Sequence, residues 1–286
     1  MRRIITKILN LGRRPLWMLG GMLLFLPPLA ALPQIIGEPN LCGKVCPRLL
    51  LILPANQGII HGLTSNIQTK WLFGAGLVLG ILLITFFFGR LWCSHFCPIG
   101  GFTEMVSRTT PEKLKIRYAW LHAPSFRYGY FAVFVAGGLW GIGNIACKFC
   151  NFRVIPFLVG ALFEPAYRIY LLSSIGLAGL FTVAAFGFFA RGGRAYCNFF
   201  CPIGALDSLV NAIGSILPFS RRIRTDEKKC NRCGQCVGSC MVWARSLEKQ
   251  ENGPGRMRVD AFSCMSCREC TKACPTGAIR YGKREA

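Results

Sequence analysis

Eight cysteines in the last quarter of the chain repeat one spacing. Cys230-x2-Cys233-x2-Cys236-x3-Cys240 is followed by Cys264-x2-Cys267-x2-Cys270-x3-Cys274-Pro275. Thiolates spaced in this way are ligands for iron–sulfur clusters. Three close cysteines wrap one corner of a cubane, and the fourth of each run reaches across to the other cluster. The expected sets are therefore Cys230, Cys233, Cys236 and Cys274 for one [4Fe–4S] cluster, and Cys264, Cys267, Cys270 and Cys240 for the other. Structural zinc uses about four ligands per ion, in pairs, which fits this order of cysteines less well. Met241 stands where the second run has Pro275; this leaves the thiols in place and changes the local turn.

The doubled run is that of a bacterial two-cluster ferredoxin, and thiols with related spacing occur upstream. LWCSHFCPIG holds Cys93, Cys97 and Pro98, and AYCNFFCPIG holds Cys197, Cys201 and Pro202. An offset of 104 residues superposes these two stretches. It also carries Gly89–Arg90 onto Gly193–Arg194, and Lys44 and Cys46 onto Lys148 and Cys150. A repeat whose halves run the same way implies a pseudo-twofold axis along the membrane normal. Such an axis gathers Cys93, Cys97, Cys197 and Cys201 at an inner face, each half supplying two of the four thiolates a cluster requires. It gathers Cys42, Cys46, Cys147 and Cys150 at an outer face. Two readings of that outer quartet stay open: one bridging iron–sulfur cluster, or disulfides Cys42–Cys46 and Cys147–Cys150 in an oxidising compartment.

The elements that must position these thiols are apolar. The chain has 286 residues, 52% hydrophobic and 16% charged, and 16 are cysteine. Its mean hydropathy is +0.41. About 20 apolar residues cross a bilayer core, and four stretches qualify by hydropathy: about 15–36, 71–89, 128–146 and 170–190. The first carries Pro27, Pro28 and Pro33, so a kink or early end is expected. Its long apolar part and lack of a small-residue cleavage site argue against a cleavable leader. The expected fold class is a membrane all-α domain over 1–221, four transmembrane helices in two parallel pseudo-repeats. A small α+β ferredoxin-like domain over 222–286 follows.

The net charge is +22. No recognition motif accompanies it, which excludes nucleic acid as the partner. Lys and Arg instead mark orientation. They crowd the N-terminal flank, the 90–127 loop and the tail after Ala190, whereas the connections holding Lys44, Arg48 and Lys70, and Lys148, Arg153 and Arg168, have three each. The expected location is the inner (cytoplasmic) membrane of a bacterium or archaeon, with both termini cytoplasmic. Membrane lipid and other subunits of a redox complex are the expected partners, and the basic tail is suited to an acidic one. No acid–base pair or nucleophile motif appears. Of the histidines, His95 inside the inner CxxxC could tune a cluster, shuttle a proton or act as a local hydrogen-bond donor. His61 could belong to a quinol or haem site, and His122 has no assigned role.

Taken together, the CxxxCP pair and the C-terminal two-cluster run resemble the NapH-type membrane ferredoxins, quinol dehydrogenase components of periplasmic nitrate reduction. NosR-type and methylamine-utilisation ferredoxin-type proteins share the module. The resemblance covers almost the whole chain. It implies electron transfer between the quinone pool or a cytoplasmic-side carrier and a partner complex, across the membrane, with quinone as a further ligand. The outer quartet is not part of the nitrate-system pattern, which points to another pathway. The alternative function is a redox-sensing or electron-supplying factor in the maturation or regulation of a metalloenzyme.

Overall fold

Proline and glycine decide where the helices stop. The computed structural model describes residues 14–26, 67–139, 150–250 and 253–284. Helix α1 (Arg14–Phe25) opens with Pro15 in its first turn and ends just before Pro27 and Pro28, which have no N–H to extend it. Helix α2 (Ile67–Phe88) ends at Gly89, whose φ of +82° breaks the helix. A π-helical turn, Trp92–Phe96, carries Cys93. Helix α3 (Pro98–Thr109) follows, with Pro98 at its first position and Cys97 as N-cap. Then come a 3-10 turn (Glu112–Leu114), α4 (Ala123–Leu139), α5 (Asn151–Gly160), α6 (Pro165–Leu172) and α7 (Ser174–Val183). A second π-helical turn (Ala184–Phe188), α8 (Ala195–Phe199) and α9 (Pro202–Ile216) complete the helical part.

The four-span architecture expected from hydropathy is not what forms. Among the described residues no single helix is long and apolar enough to cross a membrane. Helix α1 has only 12 residues. Within α2 the described side chains make an apolar stretch over Ala75–Phe88. Helix α4 is described as far as Leu139, and residues 140–146 of the third candidate lie outside the described residues. The fourth candidate breaks at Ser173, where α6 and the α7 segment are bent by 87°. Ser173 Oγ accepts the Gly176 N–H at 3.2 Å, a side-chain N-cap that starts a new helix. A hydropathy window sums apolar residues and does not register such breaks.

The repeat is nonetheless visible as a correspondence of elements. Adding 104 takes α2 onto α7 and its π-turn, the Trp92–Phe96 turn onto α8, and α3 onto α9. The halves pack crosswise: α2 lies against α9, and α3 lies against the Ala184–Phe188 turn. Gly89 and Gly193 are equivalent, both with positive φ (+82° and +68°).

The cysteine-rich tail is built on two small antiparallel sheets. Strand β1 (Arg222–Thr225) pairs with β4 (Ile279–Gly282) in the register Thr225↔Ile279. Strands β2 (Arg245–Gln250) and β3 (Gly253–Val259) form a hairpin. One-turn helices α10 (Gln235–Gly238) and α11 (Glu269–Lys272) connect them. The β1–β4 pairing joins the two ends of the tail, and so brings Cys274, five residues before β4, beside Cys230, five after β1. Ile223, Met257 and Ile279 form the core around Cys236 and Cys270.

Candidate metal centres

Backbone conformation shapes both cysteine runs alike. Arg232 (φ +57°) and Gly234 (+73°) flank Cys233, and Ser266 (+53°) and Arg268 (+65°) flank Cys267. Trp243 (+55°) and Gly277 (+63°) are likewise equivalent. Left-handed residues on either side of a cysteine curl the chain around a concave centre. Non-glycine residues in this region cost about 1 kcal/mol each, a strain that clusters at functional sites.

Cys230, Cys233, Cys236 and Cys274 line one cavity, with Thr225, Arg245 and Met257. Cys240, Cys264, Cys267 and Cys270 stand within electrostatic range of one another. Burial, reinforced by the neighbouring cysteines, pushes Cys264 up to about 11 and Cys267 up to about 12. Loading either thiol with metal therefore releases a proton. Among the described residues no three His, Cys, Asp or Glu side chains converge closely enough to hold a single metal ion. Each thiolate on a cubane binds a different iron, so thiols around a cluster stand farther apart than around one zinc. The donor set, all sulfur, fits iron–sulfur ligation.

The upstream cysteines also meet. Cys97 and Cys201 both act electrostatically on Cys93 and on Cys197. The prolines after Cys97 and Cys201 start α3 and α9, so both thiols sit at helix N-termini. Cys93 donates to Asp207 Oδ2 at 3.2 Å. Cys197 packs in one buried group with Val242, Ala244 and Met265, and Cys240 and Cys264 border that group. Thus Cys197 shares a buried group with residues of the tail.

Comparison with known proteins bears on this geometry. A family model described as "4Fe-4S binding domain" matches residues 71–117 and 175–224, one segment around each CxxxCP. A second, "4Fe-4S dicluster domain", matches 229–278. The chain carries ferredoxin-type 4Fe–4S domains. It is similar to the methylamine utilization ferredoxin-type protein MauN of Paracoccus denitrificans, 26% identical over 174 residues. That alignment covers 59% of this chain and 56% of the relative, so the chain spans little more than half of the curated relative it matches. No solved structure matches.

Of the outer quartet, Cys42, Cys46 and Cys147 lie outside the described residues, as does His61. Cys150 is buried and N-caps α5. His95 is half-buried, with Nδ1 2.7 Å from Ser94 Oγ. Burial, then Arg14 and Arg268, hold it down to about 4. His122 pairs with Ser125 Oγ at 2.7 Å.

Sequence reasoning missed the arginines. Counted as loop charges, Arg14, Arg90, Arg127, Arg194, Arg222 and Arg245 are in fact buried. Among the described residues only two carboxylates, Glu104 and Asp207, are buried with them. Arg90 Nε donates to Asp207 Oδ2 at 2.8 Å, and Arg194 Nε to Glu104 Oε2 at 2.9 Å. Arg14 joins α1 to both cysteine regions: it donates to Ser94 O at 3.0 Å, Glu104 Oε2 at 2.7 Å and Glu269 Oε1 at 3.1 Å. Arg194 also closes on the first CxxxCPIG: Nη1 donates to Cys93 O, and a Cβ on Gly100 would stand 1.9 Å from it. The available signal was the recurrence of Gly-Arg just before each CxxxCP.

Proposed function

We propose that this chain is an iron–sulfur electron-transfer protein of the inner membrane, in which the tail and the CxxxCP pair form neighbouring redox sites. In this reading Cys230, Cys233, Cys236 and Cys274 hold one [4Fe–4S] cluster, and Cys240, Cys264, Cys267 and Cys270 the second. Cys93, Cys97, Cys197 and Cys201 hold a third. When bound, such clusters supply one-electron chemistry near a potential set by charge, hydrogen bonds and solvent exposure. The chain's own residues orient the thiolates, exclude water and set the local charge. The observation that carries the reading is the packing of Cys197 against the group bordered by Cys240 and Cys264. It makes the upstream and tail sites neighbours.

A membrane location is supported by apolar side chains left exposed. Leu16, Leu23, Leu79, Leu83, Leu172 and Phe181 all face outward, as lipid-facing side chains do. The α6–α7 pair and these faces of α1 and α2 are the parts proposed to meet lipid, with the charged tail on the cytoplasmic side. Quinol or a cytoplasmic-side carrier is the expected electron source, and a further subunit of a redox complex the acceptor.

The test uses the full-length chain purified anaerobically in detergent. Wild type should hold about twelve irons per chain, and a C97S/C201S double variant about eight, with one electron paramagnetic resonance signal lost. Equal iron in the two proteins would sink the third site. Zinc in place of iron would sink the assignment of the tail.

A further inference from the structure

Arg127, at the start of α4, is 1% exposed. All its hydrogen bonds among the described residues go to neutral acceptors. Nε donates to Asn198 O at 2.6 Å, Nη1 to Phe262 O at 2.9 Å, and Nη2 to Asn198 Oδ1 and to Ser263 Oγ at 3.4 Å. The two buried arginines nearest the upstream cysteines differ in this respect, because Arg90 has Asp207 and Arg194 has Glu104. Arg90 makes matters worse for Arg127: its Nη1 reaches the same Phe262 carbonyl at 3.3 Å, so two guanidiniums converge on one oxygen. Asp260 acts on Arg127 at longer range, but it is only half-buried and Oδ1 accepts the Phe262 N–H at 2.9 Å. A buried cation without a paired anion is strongly unfavourable.

An anion is therefore called for nearby, and the cysteines supply its place. Cys201 lies within electrostatic range of Arg127. Asn198, which takes two of its hydrogen bonds, is buried and adjoins Cys197 in sequence. Four thiolates on a cubane give a net negative charge that grows on reduction.

We propose that Arg127 is the charge partner of the cluster held by Cys93, Cys97, Cys197 and Cys201, a positioning residue that holds its reduction potential up. This rests on the three-site reading given above. The step concerned is uptake of one electron, with no bond made or broken and no proton moved, so the charge of Arg127 acts on it directly.

The experiment is a redox titration of full-length protein, poised with dithionite and mediators and read by electron paramagnetic resonance. The signal followed is the one absent from the C97S/C201S variant. Arg127→Gln removes the charge. Asn198→Asp leaves Arg127 in place and pairs it with a carboxylate of the same shape. Both should make that site about tenfold harder to reduce, a shift of about 59 mV to more negative potential for a one-electron couple. Arg127→Lys should stay near wild type, and the tail signals should not move in any variant. Wild-type potentials in both Arg127→Gln and Asn198→Asp, at full iron content, would overturn the proposal and leave the three-site reading standing. If Arg127→Gln fails to assemble, a wild-type potential in Asn198→Asp still overturns the proposal. A wild-type protein with no signal that depends on Cys97 and Cys201 would overturn both.

Discussion

Replacing Glu104 by glutamine should cost the fold about 3–5 kcal/mol. Its carboxylate is fully buried and meets three guanidiniums: Arg14 at 2.7 Å, Arg194 at 2.8 Å and Arg108 at 2.7 Å. Arg108 is 34% exposed, so its pair is worth no more than about 1 kcal/mol. Arg194 is 1% exposed, and glutamine would strand its charge; Arg14, 5% exposed, would keep only Glu269 at 3.1 Å. Removing one partner of a buried pair costs about 3–5 kcal/mol, a shift of at least about a hundredfold in the folded-to-unfolded ratio. Burial works to raise Glu104, but Arg194, Arg14 and Arg108 outweigh it and hold the carboxyl down to about 2, against an ordinary 4.5. A depressed folded value stabilises the fold above the ordinary one. Wild type should lose that stability as pH falls from about 4.5 toward about 2, and Glu104→Gln should lack this dependence. The assay is denaturant unfolding of the full-length chain in detergent, with Arg108→Gln as control. A Glu104→Gln midpoint equal to that of Arg108→Gln, or an unchanged acid dependence, would refute the reasoning.

Gly193→Ala should destabilise far more than Gly234→Ala, measured by the same unfolding assay. Both have positive φ, but a Cβ on Gly193 would stand 2.5 Å from the Glu104 Cα, whereas Gly234 faces open space and should lose only about 1 kcal/mol. Asp207→Asn should cost about 3–5 kcal/mol by stranding Arg90. The same unfolding assay reads this loss.

The grouping of the cysteines was legible because thiol spacing is a local property. The interleaving of Cys274 with Cys230 follows from it, and the β1–β4 pairing is the backbone device that accomplishes it. The offset of 104 was equally legible and reappears as the correspondence of α3 with α9. Spans were not, because a helix is ended by single residues such as Ser173, whose capping hydroxyl carries almost no weight in a hydropathy sum. The buried arginines escaped for a different reason. Arginine is usually a surface residue, and its burial depends on carboxylates such as Asp207 that lie more than a hundred positions away.

The crosswise pairing of Arg90 with Asp207 and Arg194 with Glu104 has a consequence for ancestry. Each half offers an arginine and takes the other half's acid, with the two acids one position out of the 104-residue register. Reciprocal contacts of this kind are the mark of an isologous twofold interface between identical subunits. A single half, present twice, could have built the same arrangement as a homodimer, and fusion would then have freed the copies to diverge. The chain would inherit a constraint from that origin: a charge changed in one half can be compensated only in the other.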